Sequence, residues 1–217
     1  MGPAITLDSA EIDLLDGAGP SIDYPKGQLI FTSGEMPDRV YFLKAGVIKV
    51  YRLTGDGQRQ TVALRYQGEL MGIAEALYGG ERTCCAEVVT DASVVVISKG
   101  RFIELLRSRP GFTLRVAEIL GARLREAHTM ISDLTCHHVP GRVALFLLKL
   151  VERCGVTDRE PGVRLDLRLT HEELAHMIGT SRSNVTSILN TFRKHGAIEL
   201  KGREIRILNP ERLRDCQ

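Results

Sequence analysis

The sequence has no apolar run that approaches the ~20 residues needed to span a bilayer. Its first twenty residues carry acidic side chains, among them Asp8 and Glu11, where a secretory signal would need a basic start. Proline and glycine are dispersed instead of forming a low-complexity tract. These absences argue against membrane insertion, secretion and long disordered stretches. We expect a cytoplasmic protein with no membrane partner.

Recognisable catalytic motifs are lacking as well. The sequence contains no nucleophile elbow, phosphate-binding loop, His-Glu metal helix or Cys-His pair at a known spacing. The six histidines are scattered along the chain, so they do not indicate a shared acid-base site. We therefore expect no enzymatic activity.

Cysteine usage excludes two further classes of protein. The odd count of five and the absence of finger or ferredoxin spacing argue against a disulfide framework and against a thiolate-held cluster. Reduced thiols are the simplest interpretation. The cysteines are Cys84, Cys85, Cys136, Cys154 and Cys216.

Length and charge indicate two domains with different roles. A chain of 217 residues exceeds one typical domain. Residues 1–138 carry 15 basic and 17 acidic side chains, whereas residues 139–217 carry 14 and 10. The net charges are thus −2 and +4, and the positive excess of the second part suits contact with phosphates, although charge alone supports nucleic-acid binding only weakly.

The first part, residues 1–111, has the pattern of a mainly β domain. Short apolar runs at 29–31, 40–43, 47–53 and 94–97 are separated by glycine-containing segments, which is typical of strands in a sandwich or barrel-like roll. Thr54-Gly55-Asp56-Gly57 lies between two such runs and predicts a hairpin turn.

A long helix with a heptad seam, followed by a hinge at His138-Val139, is predicted over residues 112–138. Seven residues at alternating steps of three and four form an apolar stripe that suits a parallel helix pair, so we expect a homodimer. The same stripe packed on the β domain is the alternative. The seam consists of Ala117, Leu120, Leu124, Ala127, Ile131, Leu134 and His138.

Residues 139–217 carry the pattern of two short helices joined by a tight turn. Pro140 suits the start of a preceding helix. Thr170 and Glu173 have the spacing of a capping box at the start of the first short helix. Gly179 allows the left-handed conformation that ends this helix, and Ser181 caps the next one.

The second short helix has a buried face and a polar face. Val185, Ile188, Leu189 and Phe192 form the buried stripe, and a basic hairpin tip at Lys201-Gly202-Arg203 follows as a wing. The polar side chains suit hydrogen bonding to bases and phosphates in a major groove. The predicted DNA-contacting residues are Thr170, Ser181, Arg182, Ser183, Thr186, Ser187, Asn190, Lys194 and Arg203.

The order of these parts resembles the cyclic AMP receptor protein and fumarate-nitrate regulator (CRP/FNR) family over nearly the whole chain. The most specific segments are 68–72 (GELMG), Arg82-Thr83, 141–144 (GRVA) and 178–186 (IGTSRSNVT). The resemblance implies an α+β fold with an N-terminal cyclic-nucleotide-binding-like β-roll (jelly roll), a long dimerisation helix and a C-terminal winged helix-turn-helix. It also implies a homodimer that recognises a near-palindromic double-stranded DNA site and recruits or blocks RNA polymerase.

This chain differs from the cyclic AMP receptor at residues that contact DNA and at residues that bind the ligand. Arg182 matches the arginine that many members place on guanine, but Ser183 and Ser187 stand where the receptor has a glutamate and a second arginine. In nucleotide-binding members a glutamate after the second glycine binds the ribose, and this chain has Ile73 there, with a segment from Gly72 to Arg82 one residue shorter. The target site and the effector are therefore expected to differ.

For the effector, the resemblance points to a small molecule between the β-roll and the dimer helix. Arg82-Thr83 fits the half of the family site that holds a cyclic phosphate, which suits a small anionic effector; cyclic AMP is the alternative. No cofactor is assigned with certainty. The predicted effector-binding residues are Gly72, Ile73, Ala74, Arg82, Thr83, Ala127 and His128.

Other sensing chemistries and one other class of protein are alternatives to this interpretation. A thiol, metal or redox sensor using Cys84, Cys85 or Cys136 is an alternative, although none of them forms a closed four-ligand pattern. An iron-sulfur or haem sensor is disfavoured, because no cysteine precedes Gly27 and no histidine or cysteine lies in segment 71–75. A nucleotide-binding adaptor without DNA contact would lack the helix predicted after Ser181.

Overall fold

The structure is a computed structural model. It describes residues 7–55, 57–136 and 138–215, and leaves the side chains of residues 133–136 undescribed. The chain divides into two compact units, Met1–His128 and Thr129–Gln217. The division falls inside the long helix that the sequence predicts, and each unit is described below by itself.

The first unit combines a sheet with helices. Its elements are α1 (Ser9–Asp16), β1 (Ser21–Tyr24), β2 (Leu29–Phe31), β3 (Arg39–Leu53), β4 (Arg59–Tyr66), β5 (Leu70–Met71), α2 (Ile73–Tyr78), β6 (Cys85–Ser98), α3 (Lys99–Ser108) and α4 (Pro110–Cys136), which extends past the division. The strand order is β1-β6-β3-β4, with β2 paired to β6 and β5 to β3. Every pairing in this sheet is antiparallel.

The predicted strands at 40–43 and 47–53 are one strand in the structure, which corrects the sequence interpretation. The register of β3 against β6 shifts between Leu43 and Ile48, and Gly46 at this bend has φ +94°. A Cβ at Gly46 would lie 2.5 Å from the Asp91 carbonyl oxygen. The glycine therefore bends a continuous strand instead of separating two. The predicted hairpin is confirmed, because β3 pairs with β4 and the Thr54 amide donates to the Gln58 carbonyl at 2.9 Å.

Strand residues alternate between two cores. Tyr41 and Leu43 belong to the cluster that also contains Phe31, whereas Phe42 packs with Phe102 and residues of α4 in the other cluster. Successive side chains of a strand point to opposite faces of the sheet. Both faces are thus buried, and this explains why the runs at 40–43 and 94–97 are apolar throughout.

Helix α4 has two different faces along its length. Phe112, Val116 and Ile119 are buried in the core of the first unit, so the face that packs on the sheet is offset from the predicted seam. Leu124 and Ile131 of the seam are 58% and 61% exposed. Leu120 belongs to the predicted seam and also packs partly against the core of the first unit. The side chain of Leu134 lies outside the described residues. His138 is not in α4; it precedes α5 as its N-cap.

The second unit is a small helical domain with a four-stranded sheet. Its elements are α5 (Val139–Cys154), β7 (Gly155–Val156), β8 (Val163–Leu165), α6 (His171–Ile178), α7 (Arg182–Lys194), β9 (Ile198–Lys201), β10 (Glu204–Ile207) and α8 (Pro210–Arg214). The strand order is β7-β8-β10-β9. The two short helices and the wing are confirmed, whereas α5 begins at Val139, one residue before the predicted start at Pro140. Strands β7 and β8 are too short to be predicted from a periodic pattern.

Candidate functional site

Both ends of α6 and the start of α7 are fixed by local contacts. Thr170 Oγ1 accepts from the Glu173 amide at 3.1 Å, and the Glu173 carboxylate accepts from the Thr170 amide at 2.7 Å, which completes the predicted capping box. Gly179 ends α6 with φ +72°, and Ser181 Oγ accepts from the Asn184 amide at 3.2 Å. The hydroxyls of Thr170 and Ser181 therefore stabilise helix ends, a role distinct from the predicted DNA contact.

Helix α7 buries one face and exposes the other. Val185, Leu189 and Phe192 are buried. The exposed or half-buried face includes all six residues that were predicted to point away from the core. These residues are Arg182, Ser183, Thr186, Ser187, Asn190 and Lys194.

The Thr186 hydroxyl is already engaged within the domain. It donates to the Arg182 carbonyl at 2.9 Å and lies 2.8 Å from His171 Nδ1 on α6. The contact between Thr186 and His171 ties the two short helices together. His171 was not singled out from the sequence, because a tertiary hydrogen bond leaves no periodic signal.

The wing carries two kinds of basic residue. Arg203 is exposed in the turn after Gly202, whereas Arg206 is 3% exposed and donates two hydrogen bonds of 2.8 Å to the Asp158 carboxylate. The Arg206 guanidinium holds the pKa of Asp158 well below its usual range. Arg206 thus fixes strand β10 to the loop before β8, and Arg203 remains at the tip.

In the first unit, Arg82 is a buried cation at the end of the β-roll. Its side chain is 1% exposed, and its guanidinium lies 4.1 Å from the centre of the Phe31 ring and 5.5 Å from that of Tyr41. Arg82 Nη2 donates to the Arg39 carbonyl at 2.6 Å. The aromatic faces and the carbonyl stabilise a cation that burial would otherwise destabilise.

Two residues of the segment between β5 and β6 face this cation. Gly72 has φ +71°, and a Cβ there would lie 2.6 Å from Arg82 Nη1. Glu75 Oε2 lies 4.0 Å from the same nitrogen. The second glycine of the family segment therefore provides room for the guanidinium, and an acid close by balances its charge.

The other predicted effector residues are spread over different environments. Ile73 is 1% exposed and belongs to the core that contains Phe102, so its side chain is not available to a ligand. Ala74 and Thr83 are exposed. Ala127 and His128 are exposed near the end of the first unit. Within this unit the structure brings Gly72 and Arg82 together and leaves Ala127 and His128 at the surface.

Arg123 on α4 is a residue that the sequence analysis missed. Its guanidinium donates to the carbonyl of Leu70, two residues before Gly72. Burial, followed by the nearby charge of Arg65, lowers the pKa of Arg123 to about 10. This arginine joins α4 to the segment that precedes Gly72. It was missed because a lone arginine on a helix surface has no sequence signature.

The described cysteines Cys84, Cys85 and Cys154 are free thiols. Burial raises the pKa of Cys84, and it raises that of Cys154 to about 11. Cys85 is buried, and its Sγ accepts from the Ser33 amide at 3.4 Å. The side chain of Cys136 lies outside the described residues. A raised pKa lowers the thiolate fraction on which cysteine reactivity depends.

No three His, Cys, Asp or Glu side chains among the described residues converge as metal ligands. None of the described helices is long and apolar enough to cross a membrane.

Comparison with known proteins identifies both domains. A model of the Crp-like helix-turn-helix domain matches residues 141–216, and a model of the cyclic nucleotide-binding domain matches residues 21–109. A CRP-like cAMP-activated global transcriptional regulator of Mycobacterium tuberculosis is 32% identical over 192 residues, which are 88% of this chain and 85% of the relative. The cyclic AMP receptor protein of Thermus thermophilus is 32% identical over 177 residues, 82% of this chain and 78% of the relative.

A solved structure supports the same fold. FixK2 from Bradyrhizobium japonicum matches with a TM-score of 0.81 at 23% identity, over 91% of this chain and 96% of that one. The β-roll, the long helix and the winged helix-turn-helix follow each other in the predicted order. The chain belongs to the CRP/FNR family of transcription regulators.

Proposed function

We propose that the protein is a homodimeric regulator that recognises a near-palindromic DNA site and whose affinity for that site is controlled by a small effector bound near Arg82. The observation that carries the DNA-binding part is the capped helix pair, which presents the polar face of α7 beside the basic wing tip. Of the predicted contacts, Arg182 at the start of α7 is placed to enter a major groove first, because the N-terminal residues of a recognition helix reach the base edges.

The dimer part of the proposal is supported by the exposed seam of α4. Leu124 and Ile131 are more than half exposed and one heptad apart, on a helix whose first turns bury Phe112, Val116 and Ile119 in the core of the first unit. A stripe of this kind suits a second copy of the same helix. Two recognition helices related by a two-fold axis would match a near-palindromic site, with RNA polymerase as the partner that such a regulator recruits or blocks.

The effector is proposed to be a small anion other than cyclic AMP. The buried guanidinium of Arg82 supplies the positive charge, and the Ile73 side chain offers no acceptor for a ribose hydroxyl. The cyclic-AMP-responsive alternative is favoured by the names of the Mycobacterium and Thermus relatives. A thiol or redox sensor is less favoured, because burial raises the pKa of Cys84.

The test is DNA-site selection with purified protein, repeated with cyclic AMP, cyclic GMP and a panel of organic acids. We expect a palindromic site whose binding tightens with one organic acid. Tightening with cyclic AMP would overturn the effector assignment, and no selection under any condition would overturn the DNA-binding proposal.

Two variants make this test specific to α7. Arg182→Ala is expected to cost about 1–3 kcal/mol at one base pair, whereas Lys194→Ala should weaken binding evenly across sequences. Unchanged base preferences in Arg182→Ala would reject its assigned role.

A further inference from the structure

The charge of the buried Arg82 guanidinium is balanced from within the chain. Arg82 Nη2 is satisfied by the Arg39 carbonyl, but Nη1 is a buried donor that meets no acceptor among the described residues within hydrogen-bond distance. The Glu75 carboxylate oxygen is 4.0 Å from Nη1, which is too long for a hydrogen bond and close enough for a strong electrostatic interaction.

The side chains of Arg82 and Glu75 differ in how freely they can move. The Arg82 side chain is 1% exposed and is held between aromatic rings, whereas the Glu75 side chain is 22% exposed. Helix α2 is itself anchored, because Ile73 and Ala76 are buried in the core. A ligand at Nη1 can therefore move the Glu75 side chain by rotation about its own bonds, without moving the helix or the arginine.

We propose that Glu75 is the internal counter-ion of Arg82 and that it sets which ligands bind at Arg82. An anionic group, phosphate or carboxylate, gains the unsatisfied Nη1 donor only by displacing the Glu75 carboxylate. The carboxylate thereby lowers the affinity of the Arg82 site for all anions. Only anions that make further contacts with the protein then bind tightly. This inference rests on the proposed effector site at Arg82.

The physical reason is that a buried cation needs compensation in every state of the protein. An unpaired guanidinium in a low-dielectric site is costly, and a carboxylate at 4.0 Å supplies part of the missing stabilisation. An entering anion replaces that interaction at shorter distance and adds a charge-assisted hydrogen bond. Its net gain is the difference between the two interactions, so removal of the internal carboxylate increases the gain.

The experiment compares anion binding by the full-length wild type, Glu75→Gln, Glu75→Ala and the control Glu81→Gln. Glu81→Gln makes the same change in net charge as Glu75→Gln. Glu81 is adjacent to Arg82 in sequence, but its side chain is exposed. The probes are inorganic phosphate and cyclic AMP, measured by isothermal titration and by the shift in melting temperature. DNA is absent, so the readout is independent of operator recognition.

We expect both Glu75 variants to bind phosphate on the order of tenfold more tightly than the wild type, since a carboxylate at this distance contributes strongly at partly buried sites. Glu81→Gln should stay close to the wild type. The alanine variant shows that the gain comes from loss of the charge and not from a new amide donor.

Two results would overturn the inference, and they are distinguishable. Equal phosphate affinity in all four proteins would remove Glu75 as the counter-ion and leave an anion site at Arg82 in place. Absence of binding in all four proteins, with normal melting temperatures, would overturn both the counter-ion and the proposed anionic effector.

Discussion

Arg123 offers a test of whether a buried cation is kept for stability. Burial lowers the pKa of Arg123 to about 10. At 1.36 kcal/mol for each tenfold change in the protonation equilibrium, this shift corresponds to a cost of roughly 3 kcal/mol for holding the charged form in the folded state. The hydrogen bond to the Leu70 carbonyl offsets this cost by about 1.5–3 kcal/mol, the range for bonds from charged donors.

The substitution Arg123→Met removes both opposing effects and keeps an unbranched apolar chain. We therefore expect a net change in the free energy of unfolding within about 1.5 kcal/mol. Arg123→Ala also loses two methylene groups of packing and should be less stable than Arg123→Met by about 1.5 kcal/mol. For a chain of this size each kcal/mol moves the melting temperature by about 2–4 °C.

The assay is thermal unfolding at neutral pH, at one fixed protein concentration because a dimer melts in a concentration-dependent manner. Arg107→Met is the matched control, since Arg107 is an exposed arginine on α3 and its loss should change stability by less than about 0.5 kcal/mol. A fall of more than about 8 °C in Arg123→Met would refute the reasoning. It would mean that the guanidinium stabilises the fold by more than its burial costs.

Three further substitutions test other parts of the structure. Gly179→Ala places a Cβ at φ +72° and should destabilise the helix-turn-helix by about 1–2 kcal/mol, whereas Gly100→Ala, where a Cβ meets open space, should not lower the melting temperature. Leu124→Glu should give a folded monomer in sedimentation velocity, and a stable dimer would reject the seam. Asp158→Asn should be less stable than the wild type near pH 7. Because Arg206 lowers the pKa of Asp158, its stabilisation is present above the unfolded pKa of 3.8 and is lost as the pH falls below it, so the two melting curves should converge in acid.

The helix-turn-helix was predictable because its signals are local. The capping box at Thr170, the left-handed Gly179 and the cap at Ser181 each act within four residues, and the structure confirms all three. The wing followed from two short apolar strands around a glycine turn. The sequence alone could not distinguish helix capping from DNA contact for the hydroxyls of Thr170 and Ser181. Their roles as caps became clear only from their hydrogen-bond partners in the structure.

The β domain was predicted less completely because its pairings join distant segments. Apolar runs identified the strand positions, but only the register of β3 against β6 shows that residues 39–53 form one bent strand. Likewise the heptad stripe of α4 was found, while the offset face of Phe112 and Val116 that packs on the sheet depends on tertiary contacts.

The sequence by itself determined the family, the order of the β-roll, long helix and winged helix-turn-helix, and the polar face of α7, because these depend on periodicity and on short motifs. Only the tertiary structure decided what surrounds Arg82. Phe31, Tyr41, Arg39 and Glu75 come from three separate elements, β2, β3 and α2, and no spacing rule relates them. The burial and the charge balance of a cation depend on all groups around it in space, and folding alone brings those groups together.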